Sequence, residues 1–352
     1  MNILSKILLW LLGLFATFVL VVVIVGWSLS EPGYDGPKSK YFNGERFENP
    51  GDVEVKSFLD VIKWALTNDP GEWNEISPDE VDFGEKPKAR IGDSLVVTYI
   101  NHSTFLIQTD SLNILTDPIW SGRASPFSFA GPKRMTPPGI HFKDLPHIDL
   151  VVISHNHYDH LDISTLKNIN ERFGSTFITP FGVGQYLNSE GILNTKDLGW
   201  WEEHNGFNFV NVVSVPAQHF SSRGLFDRDN TLWAGYILKT RSGNIYFAGD
   251  TGYGEFFKEI GERYEIKLGL IPIGAYKPRW FMSPVHLSPQ EAILAHQDIG
   301  AEISLGMHYG TFPLADDGRD EPINDFYEAM ESFEGEKPNF RVLGNGKSLI
   351  VD

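Results

Sequence analysis

The stretch Leu150-Val151-Val152-Ile153-Ser154-His155-Asn156-His157-Tyr158-Asp159-His160-Leu161-Asp162 decides how this chain is read. Its first four residues form an unbroken apolar run, the pattern of a strand buried on both faces. The polar residues that follow place four metal-ligand types, His155, His157, Asp159 and His160, within six consecutive positions. A strand fixes where such a loop begins, and the H-x-H-x-D-H spacing lets a tight turn aim its side chains at neighbouring points. Neutral imidazole nitrogens suit zinc, and a carboxylate completes the set. One His or Asp alone in a loop reads as a turn or surface residue, whereas four at this spacing read as a metal site. Asp162 stands where it can cap a helix over 163–173 rather than bind metal. There Ile163, Leu166, Ile169 and Phe173 recur at helical spacing before Gly174.

Working outward, strand-like runs occupy 95–100, 105–108 and 113–116 before this stretch. Others follow at 176–179, 209–215, 232–238, 244–248, 268–273 and 303–305. Strands alternating with a few helices argue for an α/β or α+β architecture. His219, Asp250 and His308 each stand just after one of these runs. Strand ends gathered on one edge of a sheet bring such residues to the H-x-H-x-D-H loop. The seven ligands then divide between two ions. His155, His157 and His219 are expected to hold one Zn2+, Asp159, His160 and His308 the other, with Asp250 bridging. Zinc lowers the pKa of bound water enough to supply hydroxide near neutral pH, so no Ser or Cys nucleophile is required.

Composition narrows the setting. The 352 residues are 41% hydrophobic and 13% aromatic, ample for a large core, and carry a formal net charge of −17. Displacing counterions from DNA or RNA needs a basic surface, so nucleic acid is not an expected partner, though a local basic pocket is left open. The absence of cysteine removes disulfides and thiolate metal sites, leaving His and carboxylates as the ligands. A homodimer is left open.

Residues 7–27 carry no charge and are long enough to cross a bilayer as a helix. A cleaved signal peptide is the alternative, but its apolar core is normally shorter and ends in small residues, and Val25-Gly26-Trp27-Ser28 fits that poorly. Lys6 precedes the run, while Glu31 and Asp35 precede Lys38 and Lys40 after it, a pattern that leans only slightly towards a catalytic part outside the cytoplasm. Three segments result: an anchor over 1–28, a linker and extension over 29–93 packing on the main domain, and the main domain over 94–352. Within the extension, 58–66 has helical apolar spacing, and Asn68-Asp69-Pro70-Gly71 ends it.

The ligand pattern resembles the metallo-β-lactamase superfamily in its dinuclear hydrolase form, which implies an α/β fold with a four-layer αβ/βα sandwich. Within it, several patches look like the N-acyl-phosphatidylethanolamine-hydrolysing phospholipase D family: Tyr41-Phe42-Asn43-Gly44, Phe47-Glu48-Asn49-Pro50, Ala248-Gly249-Asp250-Thr251-Gly252-Tyr253, and 271–282. The resemblance implies a membrane phospholipid substrate and the same seven ligands. It also places Asp117, in Leu115-Thr116-Asp117-Pro118, beside the metals, where a carboxylate orients a ligand or a water; the plain reading of Asp117 is a turn starter.

Other residues carry paired readings. His286 precedes the capping box Ser288-Pro289-Gln290-Glu291 and either meets the substrate or is structural. Arg279, with Tyr276, Trp280 and Phe281, either contacts phosphate beside apolar walls or belongs to ordinary packing. His102 reads as part of a turn, and His141, His147, His204 and His296 carry no functional signal. The expected reaction is release of an N-acylethanolamine and phosphatidic acid. A lactonase or other esterase with the same metals, and a non-catalytic metal-binding protein tethered to a bilayer, are the alternatives. Iron or manganese in place of zinc is left open.

Overall fold

The computed structural model describes residues 2–54, 56–207 and 209–351. Two seven-stranded sheets face each other. The first contains β1 (Leu95–Asn101), β2 (Thr104–Thr109), β3 (Leu112–Thr116), β4 (Leu150–Val152), β5 (Thr176–Pro180) and β6 (Thr195–Leu198) in that order, with the C-terminal β14 (Ser348–Val351) on the outside of β1. The second runs from β7 (Glu203–Phe207) through β8 (Val210–Val215), β9 (Gly235–Thr240), β10 (Gly243–Phe247), β11 (Ile266–Pro272) and β12 (Ile303–Met307) to β13 (Phe340–Arg341). Each sheet is antiparallel at one end and parallel at the other, with β3 to β6 and β10 to β13 parallel.

Why β4 reads as solidly apolar is now plain. Leu150 and Val152 join the core between the sheets, while Val151 and Ile153 join a second cluster on the outer face. There they meet Leu166 and Ile169 of α3 (Ile163–Phe173) and Val183 and Leu187 of α4 (Val183–Ser189). A parallel strand covered on both faces leaves no position for a polar residue. Each such Leu, Ile or Val, fully buried, stabilises the fold by about 1.5–3 kcal/mol. On the far sheet α5 (Phe256–Arg263) and α7 (Pro289–Asp298) supply the fourth layer. This is the expected αβ/βα sandwich, completed by the short α6 (Arg279–Met282) and by α8 (Glu321–Ser332).

The N-terminal third differs in kind. Helix α1 (Ile3–Leu29) is long and apolar enough to cross a membrane, with a mean hydropathy of 3.0 over its best window and none of that window buried. The segment after it is no free tether: Phe42 and Phe47 enter the main core, and Asn49 exchanges hydrogen bonds with the backbone of His219. Helix α2 (Phe58–Thr67) forms where the spacing predicts it, started by a Ser57/Asp60 capping box. Its apolar face, however, is turned outward: Leu59, Ile62 and Leu66 are all exposed. Strands β6, β7, β13 and β14, polar or very short, carry no pattern that sequence periodicity detects.

Candidate metal centre

All the proposed ligands come from one edge of the sandwich, where strands end. His155, His157, Asp159 and His160 occupy the loop between β4 and α3, which turns tightly as the His160 and Leu161 N–H groups donate to His157 O. Asp162 caps α3 through Thr165 N and also accepts from Trp120 N, Ser121 N and Ser121 Oγ, so it pins the loop's far end and stands outside the cluster. His219 follows β8, Asp250 follows β10 and His308 follows β12. Gly249 has φ +61, and a Cβ there would meet Ser154 Cβ at 2.6 Å, so only glycine lets the two loops approach this closely.

Hydrogen bonds fix the tautomers. Asp117 Oδ2 accepts the Ser154 hydroxyl at 2.5 Å, leaving Ser154 Oγ to accept from His155 Nδ1 at 2.9 Å. Asp117 Oδ2 also takes the Nδ1 proton of His160 at 2.7 Å, while Val285 O, an acceptor only, takes that of His219 at 2.9 Å. In its neutral form each of these rings presents a bare Nε2. His157 turns Nδ1 the same way, 2.8 Å from His155 Nε2 and 3.2 Å from His219 Nε2. Three nitrogen donors crowd one point with too few protons to share, an arrangement that a cation satisfies.

The second cluster is acidic. Asp250 Oδ2 lies 3.2 Å from His160 Nε2 and 3.0 Å from His308 Nε2; Asp159 Oδ2 lies 3.1 Å and 3.3 Å from the same two atoms. Among the described residues, buried His160 Nε2 and the other Asp250 oxygen, Oδ1, each find no aligned hydrogen-bond partner. Donor atoms of His155, His157 and His219 lie within 4.8 Å of one another, as do those of His102, Asp159, His160 and His308, and those of His219, Asp250 and His286. The residues fit metal.

Electrostatics divide the two clusters. Burial, together with the neighbouring imidazoles, pushes His155 and His219 well below the ordinary histidine value, and burial takes His157 down to about 4. Burial opposes charge in the acidic cluster too. There the Asp250 and Asp159 carboxylates outweigh it, raising His160 well above its ordinary value and His308 to about 9. Both carboxyls are held well below the usual range, burial being outweighed by His160 and its neighbours. One cluster is thus neutral and the other carries imidazolium protons that a dication would replace.

Three residues at the site hold left-handed backbone angles rare outside glycine: His102 (φ 50°), Asp117 (φ 32°) and His308 (φ 64°). Such strain persists only where the surroundings enforce it, and it gathers at functional sites. His102 is the residue that motif reading set aside. It sits in the β1–β2 turn on the ligand edge, its Nε2 2.9 Å from Asp159 Oδ2 and its ring 4.1 Å from that of His308. Its position beside Asn101 at a strand end was the available signal.

Asp117 lies fully buried behind the cluster and holds both Ser154 and His160. The Asp117→Asn variant, which tolerates the same backbone angle, is expected to weaken metal binding by about 10–100-fold. Chelator competition on the refolded, correctly melting variant checks this.

A cavity of about 740 Å³ opens onto the metal donors through His219 and His286, with apolar walls that include Phe220, Phe281, Met282 and Val285. Volumes of this order suit small-molecule and lipid ligands. A larger cavity, about 900 Å³, lies on the other side of the metal loop beneath the end of α1 and meets none of the seven candidate ligands. His286 Nδ1 is 3.9 Å from Asp250 Oδ2 and has no hydrogen-bond partner among the described residues. Of the other suggested substrate contacts, Phe281 lines the cavity. Tyr276 is buried with its hydroxyl donated to Asp325, and Trp280 sits outside under the Lys63 ammonium. The Arg279 guanidinium donates to Tyr276 O, His286 O and Glu291 Oε2, so its donors hold the loop before α7 together.

Residues 112–309 match the family model described as the Beta-lactamase superfamily domain. Over 234 residues the chain is 40% identical to N-acyl-phosphatidylethanolamine-hydrolyzing phospholipase D 1 of Caenorhabditis elegans, covering 62% of this chain and 65% of that protein, just under two thirds of its length. It is 32% identical over 224 residues to a metal-dependent hydrolase of Methanopyrus kandleri, covering 62% of this chain and 85% of the relative. Among solved structures, Igni18, a metallo hydrolase from Ignicoccus hospitalis, superposes with a TM-score of 0.56 at 24% identity, covering 74% of this chain and 99% of that one.

Proposed function

The chain belongs to the β-lactamase superfamily and is a metal-dependent hydrolase of that fold, and on that premise we propose that it is a membrane-anchored dizinc phosphodiesterase of the phospholipase D type. It would cut N-acyl-phosphatidylethanolamine between phosphate and ethanolamine. Water adds its oxygen to phosphorus, the bond from phosphorus to the ethanolamine oxygen breaks, and that oxygen leaves with a proton as N-acylethanolamine. Phosphatidic acid is the other product.

The observation that carries this reading is an apolar cavity ending on a compact cluster of metal donors. A phosphodiester flanked by acyl chains needs both: positive charge for the reacting group and apolar walls for the chains. Bound zinc would supply an activated water and neutralise charge on phosphorus. His155, His157 and His219 would hold one ion and Asp159, His160 and His308 the other, with Asp250 between them. His286, which lines the cavity, would contact the leaving oxygen. His102 would steady Asp159, and Asp117 would orient His160 and, through Ser154, His155.

Offering the zinc-loaded protein N-acyl-phosphatidylethanolamine, plain phosphatidylethanolamine and a lactone panel tests the proposal. Expected is N-acylethanolamine from the first and little from the others. Ring-opened lactone as the only product would make the chain a lactonase, and no product at all would leave only a metal-binding protein.

A further inference from the structure

Trp64 ties helix α2 to the domain. The Trp64 ring stacks on Phe281 at 5.4 Å, and its Nε1 donates to Asp316. Leu59, Ile62 and Leu66, spaced to share one helical face, point away, with Leu59 74% and Leu66 81% exposed. An amphipathic helix whose apolar side faces out has its polarity reversed for a water-soluble surface. Beside it Trp280 is 38% exposed with the Lys63 ammonium 4.3 Å from its ring, a pairing of aromatic body and cationic tip that suits a boundary between apolar and polar media.

A second apolar patch adjoins the end of α1. Phe127 and Phe129 have rings 5.6 Å apart, with Phe129 80% exposed. Leu225 and Phe226 are also exposed, and their N–H groups donate to Gly26 O and Ser30 Oγ at the end of α1. The loop bearing them begins after His219 and ends at Arg228 and Asp229, which line the same cavity as Val61 and Trp64 of α2. One loop therefore runs from the end of α1 and its patch to the wall of the cavity that α2 also lines.

We propose that this side is a membrane-docking surface in which α2 lies in the headgroup layer of the bilayer that α1 spans, with Leu59, Ile62 and Leu66 among the acyl chains. Lipid then reaches the metals past Val61 and Trp64 without crossing water. An apolar helical face with flanking lysine and tryptophan is the chemistry of an interfacial helix, and the loop that joins the end of α1 to the cavity wall beside α2 makes a phospholipid bilayer the occupant. This rests on the lipid-hydrolase reading for its purpose, but its test reads insertion rather than turnover.

Because the chain has no cysteine, single-cysteine variants of the full chain accept a polarity-sensitive fluorophore only where it is placed. Labels at Leu12→Cys, Leu66→Cys, Phe226→Cys and, as a control, Leu193→Cys are read in phosphatidylcholine–phosphatidylethanolamine vesicles containing brominated phosphatidylcholine. Quenching is expected at Leu12, Leu66 and Phe226 and not at Leu193. Quenching at Leu12 with none at Leu66 overturns the docking of α2 alone. No quenching at Leu12 overturns the anchor and this inference with it. A blue shift at Leu66 without bromine quenching assigns the face to a second copy of the chain and equally overturns it. Independently, Leu59→Asp with Leu66→Asp is expected to raise the apparent KM for vesicular lipid by on the order of tenfold, with turnover of a water-soluble short-chain substrate unchanged. An unchanged KM on vesicles contradicts the docking, whereas absence of any turnover in the parent protein bears on the hydrolase reading and leaves the quenching result standing.

Discussion

Replacing Asp250 by Asn is expected to lower hydrolysis by roughly 10³-fold or more, since loss of an ion bridge forfeits several kcal/mol of transition-state stabilisation, while the melting temperature of the variant stays close to that of the parent. Asp250 Oδ2 lies near both clusters, 3.0 Å from His308 Nε2 and 3.9 Å from His219 Nε2. An amide there keeps the shape and removes the charge. The His157→Ala variant, which takes one of three nitrogens from the neutral cluster, is expected to behave alike. Stripping the parent with chelator and restoring Zn2+ should abolish and recover the same activity. Initial rates with circular dichroism of each variant supply the measurement, and full turnover by metal-stripped protein would contradict the assignment.

The second large effect concerns stability. Arg223 and Glu31, 5% and 2% exposed in their side chains, form an ion pair at 2.7 Å just past the end of α1. Arg223 Nη1 also donates to Asn156 O and Leu161 O, bracing the metal loop from behind, and its guanidinium lies 3.8 Å from the Tyr158 ring centroid. The Arg223→Ala variant is expected to lose about 3 kcal/mol, the lower end for breaking a buried pair. The lower end applies because burial already pushes Glu31 up to about 8 against the pull of Arg223, so the stranded carboxyl can take a proton. Lysine cannot replace the fork that reaches both carbonyls. Denaturant midpoints of the full chain in detergent check this, and a double variant Glu31→Leu with Arg223→Met should recover part of the loss. The raised value of Glu31 carries its own consequence. Stability from this group is complete below its ordinary 4.5 and declines as pH rises through about 8. The Glu31→Gln variant, which does not titrate, should flatten that part of the profile.

Most of the metal centre was legible because its chemistry is local. Four ligand types in six residues after a buried strand need no tertiary information to stand out, and their places at strand ends pointed to His219, Asp250 and His308, which the fold does bring beside them. Caps were equally legible: Asp162 starts α3, Gly174 ends it at φ 64°, and the Ser288/Glu291 box opens α7. Each depends on residues within one turn of each other. His102 was not legible, since its link to Asp159 spans 57 positions. Nor was the commitment of Arg279 to Glu291 and two carbonyls, because a guanidinium's partner is set by what folds against it.

By itself the sequence determined the loop of candidate ligands, the alternation of strands and helices, the long apolar α1 and the existence of α2. All of these rest on spacing along a few turns or on runs of one polarity. Tertiary structure alone decided where those faces point. It sent Phe42 and Phe47 into the core, turned Leu59 and Leu66 outward, and closed the first sheet by pairing Leu95 with Val351. Periodicity states which residues share a face; what covers that face depends on chain segments hundreds of residues away, and here that choice separates the packed interior from the side that carries the cavity mouth.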